Sequence, residues 1–191
     1  YSAIVTPLSV ERIVLETHLI NALQRNEFSI QHQPKIEIAT GRICGVEALL
    51  RWRNPQLGNV PPSAFISVAE DTGLIVPIGK WVLRTACAQG VAWRRLGLPA
   101  LGMAVNLSPR QFKDPGLALD VTEALRESGM EARLLELEIT EGMIMNSIDQ
   151  AVQMATAIKR LGVRLAIDDF GTGYSSLSQL KRFPIDTLKI D

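Results

Sequence analysis

The chain has 191 residues, 47% of them hydrophobic, enough for one domain with a sizeable core and unlike a disordered segment. Lys plus Arg number 20 and Asp plus Glu number 20, so the formal net charge of zero predicts no broad electrostatic grip on DNA, RNA or an anionic membrane. Any anion site must therefore be built locally.

Residues 1–8 read as a linker from an upstream region, and the domain proper is expected over 9–191. Apolar residues recur at helical spacing from 9 to 26, through Ile13, Leu15, Leu19, Ile20 and Leu23. Residues 28–38 alternate as a strand that Pro34 makes an edge or an interrupted one. A turn at 39–42 leads into a second strand over 43–52, so the pair reads as a hairpin. A Pro/Gly loop over 54–62 precedes a helix over 63–70, and a long amphipathic helix over 76–96 follows. Then come a strand over 102–107, a cap at Ser108-Pro109, and a helix over 116–128. The last elements are a strand over 134–140, a helix over 147–161, a strand over 163–168, a helix over 175–183 and a strand over 185–191. After the hairpin, strand and helix alternate, which argues for an α/β protein with a mostly parallel sheet.

Two cysteines, Cys44 and Cys87, show neither metal-ligand spacing nor a disulfide framework, and both are expected to be small core residues. His18 and His32 have no metal-type partner, and alternation puts His32 on the outer face of its strand. With no signal peptide and no bilayer-length apolar run, a cytoplasmic setting is expected, although a membrane segment could precede Tyr1 in a longer parent.

The strands carry the chemistry. Side chains alternate across a strand, so Glu47, Leu49 and Arg51 share one face while Cys44, Val46, Ala48 and Leu50 share the other. By the same rule Gln31 and Gln33, Ala104 and Asn106, Glu136 and Glu138, Ala166 and Asp168, and Lys189 and Asp191 each fall on one face. The opposite faces are apolar and suit a cover of helices. An open sheet covered on both sides would be apolar on both faces. A polar inner face gathered at the C-terminal strand ends is what a (β/α) barrel active site requires. A lone acid at a strand end is most often a cap or a solvated charge. Here five strands each deliver a carboxylate, an amide or an ammonium to one face at one end.

Glu47, Asn106, Glu138, Asp168, Asp169, Lys189 and Asp191 should therefore converge at a barrel mouth. Oxygen ligands without His or Cys suit hard divalent cations such as Mg²⁺ or Mn²⁺. So many acids suit two ions bridged by a shared carboxylate, with Asp168 the candidate bridge and Asp169, at the start of the loop, serving the second ion only. Paired ions roughly 4 Å apart are a common device for phosphodiester hydrolysis. Arg51, on the Glu47 face, can reach a phosphate with two N–H groups.

Several motifs resemble those of EAL domains, the bacterial cyclic di-GMP phosphodiesterases. They are Gln33-Pro34, Glu47-Ala48-Leu49 within residues 46–52, Asn106-Leu107-Ser108-Pro109, the run 136–141, the run 168–177 and Leu188-Lys189-Ile190-Asp191, in the family's order. The resemblance implies a modified TIM-type (β/α)₈ barrel whose first strand is antiparallel, with only about six strands present here. It implies hydrolysis of cyclic di-GMP to linear pGpG with Mg²⁺ or Mn²⁺, inhibited by Ca²⁺. Glu47, Asn106, Glu138 and Asp168 would hold one ion. Asp168 and Asp169 would hold the second, with Asp191 close by. Lys189 would orient or help activate the attacking water. Gln33, Leu50 and Arg51 would touch the substrate, and Glu141 would brace the loop after Asp169, which in this family links the metal site to a dimer interface. A homodimer and an upstream sensory or GGDEF domain are the partners implied. The family continues for two more strands and helices that carry a further metal-binding Glu and a Gln, so a longer parent polypeptide is expected. The alternative is an inactive EAL domain that only binds cyclic di-GMP as a receptor.

Overall fold

The structure, a computed structural model, describes residues 7–145, 148–171 and 183–190. Among them seven strands form one sheet: β1 (Phe28–Glu37), β2 (Arg42–Asn54), β3 (Gly58–Val60), β4 (Gly102–Asn106), β5 (Leu135–Thr140), β6 (Arg164–Phe170) and β7 (Thr187–Ile190). The helices are α1 (Pro7–Leu19), α2 (Pro62–Thr72), α3 (Ile75–Arg95), α4 (Pro109–Phe112), α5 (Leu117–Ser128), α6 (Glu141–Met145) and α7 (Ile148–Arg160). The strand order is β1-β2-β4-β5-β6-β7, with β1 antiparallel to β2 and every later neighbour on that path parallel. The expected α/β class and antiparallel first strand are both present.

The helices cover the apolar face that alternation predicts. Leu135, Leu137 and Ile139 of β5, and Leu165 and Ile167 of β6, are at most 1% exposed, so each of these strands buries its apolar side completely. At roughly 1.5–3 kcal/mol per buried Leu or Ile, this face holds the layers together. Trp52, Phe28 and Phe65 close one end of the core with ring centroids 5.5–6.1 Å apart.

The curl of the sheet follows from two lysines. Neighbouring strands lie about 4.8 Å apart, so a flat sheet would hold β2 and β7, four steps apart on the path, roughly 19 Å from each other. Yet Lys189 on β7 reaches Glu47 on β2 at 3.4 Å, and Lys35 on β1 reaches Glu138 on β5 at 2.7 Å. Only a sheet bent toward a barrel brings these side chains together.

Local details depart from the sequence reading. Helix α1 begins at Pro7, inside the expected linker, and ends at Leu19, short of residue 26. Turns follow it, and Asn26 takes a left-handed φ of 54°, which Asn tolerates better than most residues. The loop expected over 54–62 contains β3, because Asn54 accepts the N–H groups of Gln56 and Leu57 and turns the chain back onto β2. The five-residue α6 was not expected either. Cys44 is exposed rather than in the core: it is the unmatched residue of a bulge between β1 and β2, and it precedes the ladder to β4, which opens at Gly45. Cys87 is buried, as expected, and burial pushes its thiol up to about 12. His32 packs edge-on against Trp93 at 4.7 Å, a structural contact. The helix expected from 175 onward lies outside the described residues up to 182.

Asp186 fixes where β7 begins. Its carboxylate accepts the Leu165 N–H at 2.8 Å, its own N–H donates to the Leu165 carbonyl at 2.9 Å, and Lys159 of α7 grips it at 2.7 and 2.8 Å. Burial raises the carboxyl's pKa, but the Lys159 and Leu165 hydrogen bonds outweigh it and leave it below the ordinary carboxylate value. A folded-state pKa lowered in this way contributes stability above the unfolded value, and that stability is lost as pH falls through the folded one. Asp186→Asn is therefore expected to cost about 1 kcal/mol at pH 7. Urea titrations of both proteins should show the gap closing as the medium is acidified below about pH 4.

Candidate functional site

Three carboxylates converge on one ammonium. Lys189 Nζ lies 2.7 Å from Glu138 Oε2, 2.8 Å from Asp168 Oδ2 and 3.4 Å from Glu47 Oε2. Asn106 joins them by donating from Nδ2 to Glu47 Oε1 at 2.7 Å. The parallel registers explain the meeting. Glu47 opposes Ala104, Asn106 opposes Glu138, and Thr140 opposes Asp168, so the functional positions climb diagonally across the sheet. Tilted strands with a staggered register produce that slant in barrels. Ala104 and Ala166, on the same face, leave room for the longer side chains between them.

Glu138 is the most enclosed member, with no side-chain exposure. Each of its oxygens holds one lysine: Oε2 takes Lys189 and Oε1 takes Lys35 at 2.7 Å. A buried carboxylate needs such compensation. Burial pulls the Lys189 pKa down, but the hydrogen bonds to Asp168 and Glu138 and the charges of Glu138 and Glu47 more than offset it, so the ammonium is held above the usual lysine value. In this arrangement Lys189 donates to all three carboxylates. Lys35 shows the same balance: burial lowers its pKa and the hydrogen bonds and charges of Glu138 and Glu136 raise it further. Lys35 escaped the sequence reading, although it stands two positions beyond Gln33 on the same strand face.

Asp168 and Asp169 part company within the strand. Strand β6 runs on to Phe170, beyond the end expected at 168, because the ladder to β7 slips between Ile167 and Phe170. Three steps on β6 face two on β7, which is a bulge, a device often found beside active sites. Asp169 accommodates it with φ at 53°, and its N–H donates to Asp168 Oδ1 at 3.0 Å. Asp168 stays on the inner face while Asp169 is turned out to an exposed position. Glu141, 3% exposed at the start of α6, accepts the Gly171 N–H at 3.0 Å, so it braces the backbone two residues past Asp169.

The expected substrate residues are more dispersed. Gln33 pairs with Glu47 in the β1–β2 register and lines, with Lys35, Glu47, Glu136 and Lys189, a cavity of about 690 Å³. Arg51 lies on the Glu47 face but donates to Gln31 Oε1 at 2.8 Å and to the Leu50 carbonyl at 3.0 Å, away from the acids. Leu50 and Arg51 line a second cavity of about 320 Å³ with Asn106, Pro109 and Thr140, at the C-terminal ends of the strands. Asp191 and residues 172–177 of the loop motif lie outside the described residues.

Glu47, Glu138, Asp168 and the Asn106 amide form an oxygen-only donor set, which is the chemistry of a hard divalent cation. Because Asn106 gives its N–H to Glu47, its carbonyl oxygen is the atom it can offer a metal. Among the described residues no three His, Cys, Asp or Glu side chains already form a metal-holding group; the Lys189 ammonium provides the positive charge between the acids.

The EAL domain family model matches residues 16–191. The chain is 47% identical over 182 residues to an uncharacterized protein of Synechocystis, covering 95% of this chain and 26% of that protein. It is 41% identical over 181 residues to the cyclic di-GMP phosphodiesterase PdeR of Escherichia coli, covering 95% of this chain and 27% of the relative. The chain thus spans about a quarter of the length of these curated relatives. It also superposes on the solved MucR phosphodiesterase of Pseudomonas aeruginosa in complex with c-di-GMP, with a TM-score of 0.89 and 45% identity, covering 93% of this chain and 72% of that one.

Proposed function

The chain belongs to the EAL domain family, and from that premise we propose that it hydrolyses cyclic di-GMP to linear pGpG with the help of two divalent cations. One observation carries the reading: carboxylates from three strands, Glu47, Glu138 and Asp168, meet within 3.4 Å of a single ammonium at one end of a curled sheet. Glu47, Asn106, Glu138 and Asp168 would hold the first Mg²⁺ or Mn²⁺. Asp168 and Asp169 would hold the second, with Asp191, outside the described residues, as a further candidate ligand. When bound, such ions lower the pKa of a water and neutralise charge on the attacking and leaving oxygens of an in-line displacement.

The chain's own groups then act in sequence. Gln33, Leu50 and Arg51 touch the substrate, Gln33 from the cavity beside Glu47 and the other two from the cavity at the C-terminal strand ends. Lys189 donates to the water oxygen and fixes its approach to phosphorus. The water gives up one proton to solvent as its oxygen bonds to phosphorus, the P–O3′ bond breaks, and the leaving 3′ oxygen takes up a proton from solvent. Glu141 keeps the loop after Asp169 in register with the acids by holding Gly171. We place the domain in a bacterial signalling protein of the cytoplasm, as a homodimer, with a sensory or GGDEF domain upstream of residues 9–191. Among the described residues no helix is long and apolar enough to cross a membrane.

The test uses the full-length protein, cyclic di-GMP and Mg²⁺, with chromatography of the products. The expected result is linear pGpG, formed with Mg²⁺ or Mn²⁺ and suppressed when Ca²⁺ replaces them. Saturable binding with no linear product would overturn the enzyme reading and leave a cyclic di-GMP receptor.

A further inference from the structure

We infer that Lys35 is a positioning residue for the site: it holds Oε1 of Glu138 so that Oε2 faces the centre where Glu47 and Asp168 meet. The inference rests on the metal-dependent reading above and concerns a residue outside the expected ligand set. A buried carboxylate with two equivalent oxygens can rotate about its terminal bond unless each oxygen has its own partner. Here the partners come from opposite ends of the sheet path. Lys35 enters from β1 and takes Oε1 at 2.7 Å, while Lys189 enters from β7 and takes Oε2 at 2.7 Å. A divalent cation that takes Oε2 competes with Lys189 for that oxygen. Lys35 sits on the other oxygen and does not compete.

Lys35 is itself anchored. Its ammonium also donates to Glu136 Oε1 at 3.1 Å, and Glu136 Oε2 accepts from Thr187 Oγ1 at 2.9 Å, with Arg164 at 3.6 Å. Residues of β1, β5, β6 and β7 thus form a lower polar tier under the tier of candidate ligands. The tier ties the flank of Glu138 to three other strands. Partners that orient a metal ligand in this way govern affinity and rate as strongly as some ligands do.

Lys35→Met in the full-length protein tests the role. Two readings are taken: Mn²⁺ binding to the metal-free protein by electron paramagnetic resonance without substrate, and kcat and KM for cyclic di-GMP. The expected result is a loss of roughly 10–100-fold in both Mn²⁺ affinity and kcat with KM unchanged, as for other residues that orient a ligand. Lys35→Arg, which keeps charge and N–H donors, should recover most of both. A lower melting temperature with unchanged Mn²⁺ affinity would reduce Lys35 to a structural contact and overturn the inference. A gain in Mn²⁺ affinity would also overturn it, since Lys35 would then merely repel the cation. If Lys35→Met does not fold, Glu136→Gln removes the charge of the second anchor while leaving Lys35 in place; it should weaken Mn²⁺ binding in the same direction, and unchanged binding sinks the idea. Wild-type protein that binds Mn²⁺ yet releases no pGpG strikes the hydrolytic reading alone, and the Mn²⁺ titration still decides Lys35.

Discussion

Asp168→Ala is expected to lower kcat for cyclic di-GMP hydrolysis by more than about a thousandfold, which corresponds to about 4 kcal/mol of transition-state stabilisation. The size follows from position. Asp168 is the one residue in the proposed scheme that serves both ions, and its carboxylate already divides its oxygens, Oδ2 to Lys189 at 2.8 Å and Oδ1 to the Asp169 N–H at 3.0 Å. Removing it withdraws a ligand from each ion and a partner from Lys189 together. Asp168→Asn should lose nearly as much, because an amide keeps the shape but offers a hard cation one neutral oxygen in place of a bridging carboxylate. Neither change should unfold the protein. Asp168 is only half-buried and sits at a bulge where the ladder is already broken, so its stability effect should stay within about 1 kcal/mol. Steady-state kinetics with Mg²⁺, alongside a urea titration, separate the two effects. Near-normal kcat in Asp168→Ala would sink the two-ion arrangement.

How far the sequence revealed this site depends on which physical rule was in play. Glu47, Asn106, Glu138, Asp168 and Lys189 could be assigned to one face because side chains in a strand alternate with a period of two, whatever the tertiary fold. The same rule, carried two residues past Gln33, reaches Lys35 on that face. No local rule could have given Lys35 its partner, since β1 and β5 meet only because the sheet curls. Arg51 fell on the predicted face, but its bond to Gln31 is a cross-strand contact decided by the hairpin register. Cys44 is exposed because a bulge against β1 interrupts the alternation at that point, which the sequence pattern does not show. The bulge at Asp168-Asp169 was half legible. Alternation places Asp168 on the inner face and Asp169 at the start of the loop, and the two do differ in exposure. The pattern did not show that Asp169 would take a positive φ inside a strand that continues to Phe170.

Glu138→Ala, by contrast, is expected to cost stability as well as activity, about 3 kcal/mol at pH 7, the lower end of what removing one partner from a buried ion pair costs. The lower end applies because Lys35 and Lys189 keep 30% and 25% of their side-chain exposure and retain other partners. Lys35 still has Glu136 at 3.1 Å, and Lys189 still has Asp168 at 2.8 Å and Glu47 at 3.4 Å. What is lost is the fully buried carboxylate that separates and neutralises two ammonium groups, which then repel each other across a cavity. Glu138→Gln fills the cavity and still accepts one hydrogen bond, so it should fall between the alanine variant and the parent. The decisive comparison is the double variant Glu138→Leu with Lys35→Met. If the cost comes from uncompensated charge, replacing a charged pair with apolar side chains of similar volume should restore much of the stability without restoring hydrolysis. Urea unfolding of the single and double variants measures this directly. A Glu138→Ala protein within about 0.5 kcal/mol of the parent would mean that the lysines relax into solvent at no cost, and that the buried triad is not what holds this end of the sheet together.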